Sequence, residues 1–457
     1  MPSFTKKTRM RAPAETVFAY HERLGAFERL TPPWEPVELV ERAGTIRDGD
    51  RATLRIKQGP IALKWVAEHR DYIANEQFKD VALSGPFKKW EHTHRVEPGS
   101  ELCDAIEYEL PGGAIGQALG GGFVHRKLAR MFAYRHRVTA DDTAMIARYA
   151  QDRPQRILIS GASGMVGSAL APLLSTAGHT PVLLQRTGHA ATGTPWESVT
   201  WNPGTGEVSE GRLDGLDAVV HLAGAGVADK RWSEARKQVI RDSRVTGTRR
   251  LCELLAGQPN PPKTLVCASA IGYYGDTGDA TVDESAPMGD GFLAEVCRDW
   301  EAATQPAADA GIRVVNLRIG FVLSLAGGAL VKMLPPFLMG MGGPLSHGRQ
   351  SMSWVALDDV LGAIVHAIMT ESVRGPVNAV SPTPCTNREF TQTLARVLRR
   401  PALFPVPRFA LRLAMGELAD EGMLWSNRLK PGVLMDTDYA FRFTNLEDTL
   451  RHSLGRT

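Results

Sequence analysis

Polar and apolar positions alternate along residues 51–57, the period of a strand with one face buried. Residues 64–73, 90–96 and 104–110 repeat that alternation, and the last run stops at Pro111-Gly-Gly. The period then changes. Across residues 123–138, Val124, Leu128, Met131 and Phe132 recur at helical spacing. Strands closed by one long helix predict an α+β domain. No acidic residue lies between Glu109 and Asp141, whereas Arg126, Lys127, Arg130, Arg135 and Arg137 do. On an amphipathic helix covering a sheet these cations form the solvated face; a basic binding patch is the alternative.

A different pattern begins at residue 155. A buried strand, 155–160, with the apolar core Ile157-Leu-Ile, leads into Gly161-Ala-Ser-Gly-Met-Val-Gly. The helix that follows carries Val166, Ala169, Leu170, Leu173 and Leu174 on one face and stops at Gly178-His179. A second buried strand, 181–186, completes a βαβ unit. Its glycines stand where the backbone must turn sharply and approach a pyrophosphate, and the helix N-terminus offers unpaired N–H donors. Ser163, Gly164, Met165 and Val166 are therefore predicted to contact phosphates, packed through Gly161 and Gly167. The end of the second strand distinguishes two dinucleotides. An acidic residue there would take ribose hydroxyls, but the position holds Arg186, followed by Thr187. A guanidinium can pair with a 2′-phosphate that a carboxylate would repel. This predicts NADP(H) in preference to NAD(H), with Arg186 and Thr187 at the 2′-phosphate; a merely solvent-exposed strand end is the other reading of Arg186. Strand 217–221 runs into small residues, and Leu222, Ala223 and Gly224 are predicted to line the cofactor. Further strands near 264–270 and 313–323 complete a Rossmann-like, doubly wound parallel sheet of the α/β class.

Both halves resemble known families. Arg11-Ala-Pro-Ala-Glu-Thr-Val-Phe, Arg29-Leu-Thr-Pro-Pro-Trp, Gly85-Pro-Phe-Lys-Lys-Trp-Glu-His-Thr-His and Met131-Phe-Ala-Tyr-Arg-His-Arg resemble the SRPBCC superfamily of START-like, polyketide-cyclase-like domains. The resemblance implies a helix-grip fold with a cavity for an apolar small molecule. Ala228-Asp-Lys-Arg-Trp-Ser, Ile240-Arg-Asp-Ser-Arg, Ala268-Ser-Ala-Ile-Gly-Tyr-Tyr-Gly, Phe292-Leu-Ala-Glu-Val-Cys-Arg-Asp-Trp-Glu and Gly348-Arg-Gln-Ser-Met-Ser-Trp are similar to an atypical, epimerase-type branch of the extended short-chain dehydrogenase/reductases. Arg400-Pro-Ala-Leu-Phe-Pro-Val-Pro resembles the small module that closes this NAD-dependent epimerase/dehydratase-like family. The expected organisation is a START-like domain at 1–140, a linker at 141–154, the nucleotide-binding domain at 155–395 and the C-terminal module at 396–450.

The catalytic pattern of that superfamily is altered. Its working members use a Tyr as acid/base with a Lys four residues on, because an isolated Tyr, pKa about 10, is a poor base near neutrality. None of the 8 tyrosines here has Lys at that spacing. Aligning Cys297-Arg-Asp-Trp-Glu with the usual Lys-x-x-x-Glu puts Cys297 at the Lys and Leu293 at the Tyr; Arg244 replaces the usual Asn. Only Ser269 keeps its place. Three explanations stay open: Tyr273 or Tyr274 acts as acid/base, with Lys230 or Arg244 as the nearby cation; NADP(H) is a structural or sensing ligand; or hydride transfer needs no protein acid. Ser269, Tyr273 and Tyr274 are the catalytic candidates. His221 and Cys297 read as buried structural groups.

His92 and His94 share a strand face that metal ligands could use, but no third ligand is identifiable, and no metal is expected. Net charge is only +3, which excludes bulk attraction to nucleic acid. The 5 cysteines form no Cys-x-x-Cys pair, fitting buried thiols in a reducing compartment. The longest strongly apolar run, 319–331, falls short of the roughly 20 residues a membrane span needs. A cytoplasmic protein with no membrane span is expected, its oligomeric state undecided. The functional expectation is an NADP(H)-binding epimerase or oxidoreductase with a fused small-molecule cavity; the alternative is a nonenzymatic NADPH-dependent sensor or interaction protein.

Overall fold

The computed structural model describes residues 2–59, 61–188 and 194–456. They form two compact units: one of residues up to 152 with 172–179, the other of 153–171 with 180–456. In the first, strands β1 (Ser3–Arg9), β2 (Val37–Ala43), β3 (Arg51–Gln58), β4 (Ile61–Ile73), β5 (Gln77–Ser84), β6 (Lys89–Glu97) and β7 (Glu101–Glu109) make one antiparallel sheet, ordered β1-β7-β6-β5-β4-β3-β2. Helices α1 (Ala14–Glu22), α2 (Ala26–Leu30) and α3 (Gly113–Arg148) belong to the same unit. Period-2 burial along β6 and β7 turns Trp90, His92, His94 and Val96, with Leu102, Asp104, Ile106 and Tyr108, inward.

The long helix exceeds its expected limits. α3 runs through 141–148, so most of the segment expected as linker is helix. Asp142 explains why: it is fully buried and accepts from Arg29 Nε (2.7 Å), Arg29 Nη2 (3.0 Å) and the Tyr20 hydroxyl (2.9 Å). Its helix turn is thereby tied to α1 and α2. The Arg29-Leu-Thr-Pro-Pro-Trp segment owes its shape to this bond and to Trp34, which meets Tyr134 edge-on at 4.9 Å. The cations of α3 are mostly occupied within the fold. Lys127 and Arg130 pair with Glu35 at 2.7 and 3.2 Å, and Arg135 lies over the Phe132 ring. α3 covers the sheet, and these cations are drawn into contacts of the fold instead of forming either a solvated face or a basic patch.

The second unit is built on an eight-stranded sheet of β8 (Arg156–Ser160), β9 (Thr180–Arg186), β10 (Glu197–Trp201), β11 (Val208–Glu210), β12 (Ala218–His221), β13 (Thr264–Ala270), β14 (Arg313–Ile319) and β15 (Gly375–Ala379). The order is β11-β10-β9-β8-β12-β13-β14-β15, parallel throughout except for the edge strand β11. Helices α4 (Met165–Thr176), α5 (Glu234–Ala256), α6 (Phe292–Ala302) and α7 (Gly328–Leu338) connect or cover it. Ile157, Leu158 and Ile159 have no exposed surface, as continuous apolar strands in a doubly covered sheet require. Strand order reverses between β8 and β12, the topological switch point where such folds bind ligands. Residues 321–323, expected to continue β14, pair instead with 354–356 in a separate small sheet. Gly320 permits the break: a Cβ there would lie 2.6 Å from the Ser353 carbonyl oxygen. No helix among the described residues is long and apolar enough to cross a membrane.

Removing one partner of a buried ion pair strands the other charge at a cost of about 3–5 kcal/mol. Asp142→Ala is therefore expected to lower the stability of the N-terminal unit by roughly 3 kcal/mol, measured by urea unfolding of the full chain. Arg29→Met with Asp142→Leu should recover much of that loss.

Candidate nucleotide-binding site

The site is built where the carboxyl ends of β8 and β12 meet. Gly161 leaves β8 at φ 68°, a conformation that side chains rarely adopt. A Cβ on it would stand 2.8 Å from the Leu222 carbonyl carbon and 2.9 Å from the Ala223 nitrogen. Gly167, one turn into α4, packs its Cα against the same loop; a Cβ there would lie 2.4 Å from the Gly161 oxygen. The turn closes with Gly164 N–H donating to the Gly161 carbonyl (3.0 Å). Both outer glycines are thus required by backbone contact. The turn leaves Ser163 and Gly164 exposed and Met165 and Val166 half-buried at the first turn of α4. Helix geometry leaves the N–H groups of that turn without intrahelical acceptors.

Ser160 and His221, at the ends of the two strands, hold the loops together. Leu222 N–H donates to Ser160 Oγ (3.1 Å), which lies 2.6 Å from His221 Nδ1. His221 Nε2 is 2.9 Å from Thr248 Oγ1, which also accepts from Trp300 Nε1 at 2.9 Å. Burial pushes the His221 pKa down to about 4, so the imidazole stays neutral. It braces the structure. Leu222 and Ala223 are half-buried and Gly224 is exposed. Arg186 lies at the open end of β9, exposed and without a side-chain partner among the described residues. Thr187 N–H donates to the Trp201 carbonyl, and its hydroxyl lies 3.4 Å from Ser209 Oγ. The structure thus brings the Gly161–Gly167 turn and residues 222–224 into direct contact, with Arg186 and Thr187 at the end of the strand beside β8.

The catalytic candidates occupy a different environment. Ser269 is buried at the end of β13 and donates to Glu301 Oε1 at 2.7 Å. Arg318 holds the same carboxylate through two bonds of 2.8 Å and donates a third, also 2.8 Å, to the Tyr274 hydroxyl. Tyr274 in turn donates to Asn378 Oδ1 (2.7 Å), and burial raises its pKa to about 12. Its proton is committed to the fold. Tyr273 lies with the Arg318 guanidinium 3.5 Å from its ring centroid, and its hydroxyl has no hydrogen-bond partner among the described residues. The cation beside the tyrosines is Arg318, not Lys230 or Arg244. Arg244 instead donates to the Ala225 carbonyl (2.9 Å) and lies over Trp300. Cys297 is buried, with its pKa raised to about 11 by burial, so it is neither nucleophile nor cation. Sequence reasoning missed Glu301 and Arg318 as a pair; the signal was an arginine inside the apolar strand Val-Val-Asn-Leu-Arg-Ile.

The C-terminal segment fixes this region. Glu421 accepts from the N–H groups of Phe292 (3.0 Å) and Leu293 (2.8 Å), capping α6 where its positive end favours a carboxylate. Asn427 Nδ2 donates to the Gly275 carbonyl at 2.6 Å, restraining the loop after Tyr274.

The N-terminal unit holds a cavity of about 130 Å³. Leu30, Leu39, Leu54 and Phe78 line part of it, so an apolar wall is present; His21, His94, Asp80 and Arg135 are among the polar residues that line the remainder. The polar wall continues into a buried cluster. Asp104 Oδ1 accepts from His92 Nε2 (2.8 Å) and Oδ2 from His136 Nε2 (2.7 Å), while His94 Nε2 lies 3.2 Å from Asp80 Oδ2. Burial opposes ionisation of Asp80 and Asp104, but the surrounding imidazoles outweigh it and hold both carboxyls well below the usual range. His92 and His94 are therefore internal, hydrogen-bonded side chains.

Family comparison agrees with these two architectures. A glycine-rich turn at the switch point of a parallel sheet is the arrangement of Rossmann-like folds. Residues 157–379 match the NAD dependent epimerase/dehydratase family, 10–136 the polyketide cyclase / dehydrase and lipid transport family, and 406–453 a domain of unknown function. An epimerase family protein of Mycobacterium bovis is 43% identical over 300 residues, 66% of this chain and 98% of that protein. The crystal structure of a nucleoside-diphosphate sugar epimerase from Corynebacterium glutamicum is 33% identical and covers 99% of this chain and 90% of its own, with a TM-score of 0.79. The human epimerase family protein SDR39U1, crystallised with NADPH, is 32% identical over 65% of this chain and 99% of its own, with a TM-score of 0.60. The chain belongs to the epimerase family and carries a polyketide-cyclase-type domain ahead of it.

A histidine whose pKa falls from about 6.5 unfolded to about 4 folded binds its proton only in the unfolded state between those values. Stability supplied by neutral His221 is therefore complete above pH 6.5 and lost as pH falls towards 4, at about 1.4 kcal/mol per pH unit. Replacing His221 by Gln should flatten the pH dependence of unfolding free energy between pH 6.5 and 4 by about one proton's slope. Denaturant unfolding at several pH values measures it, and an unaltered slope contradicts the assignment.

Proposed function

We propose that this protein binds NADP(H) at the carboxyl ends of β8 and β12 and uses it as an oxidoreductase or epimerase acting on a small molecule. The observation that carries this reading is the double close approach at Gly161 and Gly167, a cradle that any Cβ would fill. Backbone N–H groups of Ser163, Met165 and Val166 would hold the phosphates, with Gly164 contacting them through its exposed, side-chain-free backbone while its own N–H closes the turn. Leu222, Ala223 and Gly224 would line the cofactor, and Arg186 with Thr187 would take the 2′-phosphate. Arg186 suits that role because no described carboxylate occupies it. NADPH in the human relative supports the same preference. The bound nicotinamide would supply hydride chemistry.

This chain's own residues must orient substrate and move protons. Ser269 has its proton directed to Glu301, which leaves its oxygen lone pairs to accept a hydrogen bond. Tyr273 keeps an unengaged hydroxyl on a ring that stacks against the Arg318 guanidinium. Tyr274 is spent on the fold. The N-terminal cavity, near the size of engineered sites that admit a benzene-sized guest, would take a small and partly apolar ligand. Five free thiols suit a reducing, cytoplasmic compartment.

One observation favours a second reading, a nonenzymatic NADPH sensor. Leu293 and Cys297 stand where the superfamily's Tyr and Lys would be, and no ionisable pair replaces them there. Turnover of any carbonyl or alcohol substrate, followed by NADPH absorbance, would exclude it.

Fluorescence titration tests the shared premise. NADPH should bind well below millimolar and more tightly than NADH. Arg186→Ala should lower the NADPH:NADH affinity ratio about tenfold or more, the worth of one charge-assisted hydrogen bond. Absence of binding by both nucleotides, or an unchanged ratio, overturns the reading.

A further inference from the structure

The buried cluster of the N-terminal unit is more than a set of paired histidines. We propose that Asp80, His92 and His94 form a divalent transition-metal site of the Zn²⁺ type, opening onto the cavity. β5 and β6 are neighbours in register, with Asp80 opposite His92 and Phe78 opposite His94. Side chains two apart on β6 share a face, so the third ligand comes from the adjoining strand. This is the ligand absent from the local sequence around the two histidines.

The donor geometry fits a small cation. One ligand atom from each of the three residues lies within 4.8 Å of the others. Asp80 Oδ2 is 3.2 Å from His94 Nε2 and 3.7 Å from His92 Nδ1. Metal–ligand bonds near 2.0–2.1 Å in tetrahedral geometry place neighbouring donors about 3.3 Å apart. The two observed separations bracket that spacing. Two imidazoles with one carboxylate suit zinc or iron(II), whereas all-oxygen sites suit magnesium and calcium.

The supporting shell points the same way. Asp104 is buried and lies against the far nitrogen of each imidazole, 2.8 Å from His92 Nε2 and 2.7 Å from His94 Nδ1. A carboxylate placed there directs the opposite nitrogens, His92 Nδ1 and His94 Nε2, at Asp80 as lone pairs. His136 occupies the second oxygen of Asp104 and is itself 2.8 Å from Thr8 Oγ1. His69 approaches the remaining oxygen of Asp80 at 2.7 Å. His94 Nδ1 and Asp80 Oδ1 are thereby engaged by Asp104 and His69, which leaves Asp80 Oδ2, His92 Nδ1 and His94 Nε2 facing one another. Asp80 and His94 also line the cavity, which leaves the fourth coordination position facing it. Asp104 is a positioning residue and touches no metal.

The test uses the full, tag-free chain, stripped with chelator and titrated calorimetrically with Zn²⁺ alone. One equivalent should bind with micromolar or tighter affinity. His94→Ala should weaken binding at least a hundredfold, and Asp80→Asn at least tenfold, with circular dichroism confirming that each variant folds. The exposed His125→Ala should bind as wild type. Should the variants fail to fold, Co²⁺ added to wild type decides: a four- or five-coordinate nitrogen/oxygen spectrum, without thiolate charge-transfer bands, supports the site. No stoichiometric Zn²⁺ binding, an aquo-like Co²⁺ spectrum, or undiminished affinity in folded His94→Ala and Asp80→Asn overturns it.

Discussion

The Rossmann-like half depends on two stretches of backbone that almost touch. Gly161 lies against Leu222 and Ala223, and Gly167 lies against Gly161. A methyl group at either glycine would push α4 away from the ends of β8 and β12. Everything chemically useful at this edge follows from that contact: the exposed turn, the first turn of α4 and the loop after β12 converge within one small region. Ser160 and His221 supply the side-chain half of the same constraint, and the low pKa of His221 is its electrostatic consequence.

Around Ser269 the fold holds a fixed charge network. Glu301 and Arg318 form a buried bidentate pair, and their spare bonds reach Ser269 and Tyr274. Such a pair fixes geometry and gives up acid/base freedom. Leu293, which the resemblance aligns with the superfamily's catalytic tyrosine, lies so close to Gly272 that a Cβ on that glycine would be 3.1 Å from the leucine's own Cβ. Glu421 caps α6 at this leucine, giving the C-terminal module a direct part in shaping the region.

The sequence carried the sheet and the glycine turn plainly, because both rest on local patterns: apolar runs, strand-to-helix punctuation and a cation at the end of β9. It carried the α3 helix only in part. Residues 141–148 are polar enough to read as linker, and only the three-dimensional partnership of Asp142 with Arg29 and Tyr20 reveals them as anchored helix. Nonlocal pairing hid the rest. Ser269, Glu301, Arg318 and Tyr274 come from four separate elements, as Asp80, His94, Asp104 and His136 do in the N-terminal unit. An isolated charge on an otherwise apolar face, Arg318 on β14 or Asp104 on β7, was the available sign that a buried partner existed.

Hydrogen exchange with and without NADPH tests the placement of the cofactor most directly. Amides of residues 163–166 and 222–224 should exchange more slowly when NADPH is bound, with Arg186 and Thr187 protected alongside them. Binding that leaves these amides unchanged, or protects only other segments, would contradict the account.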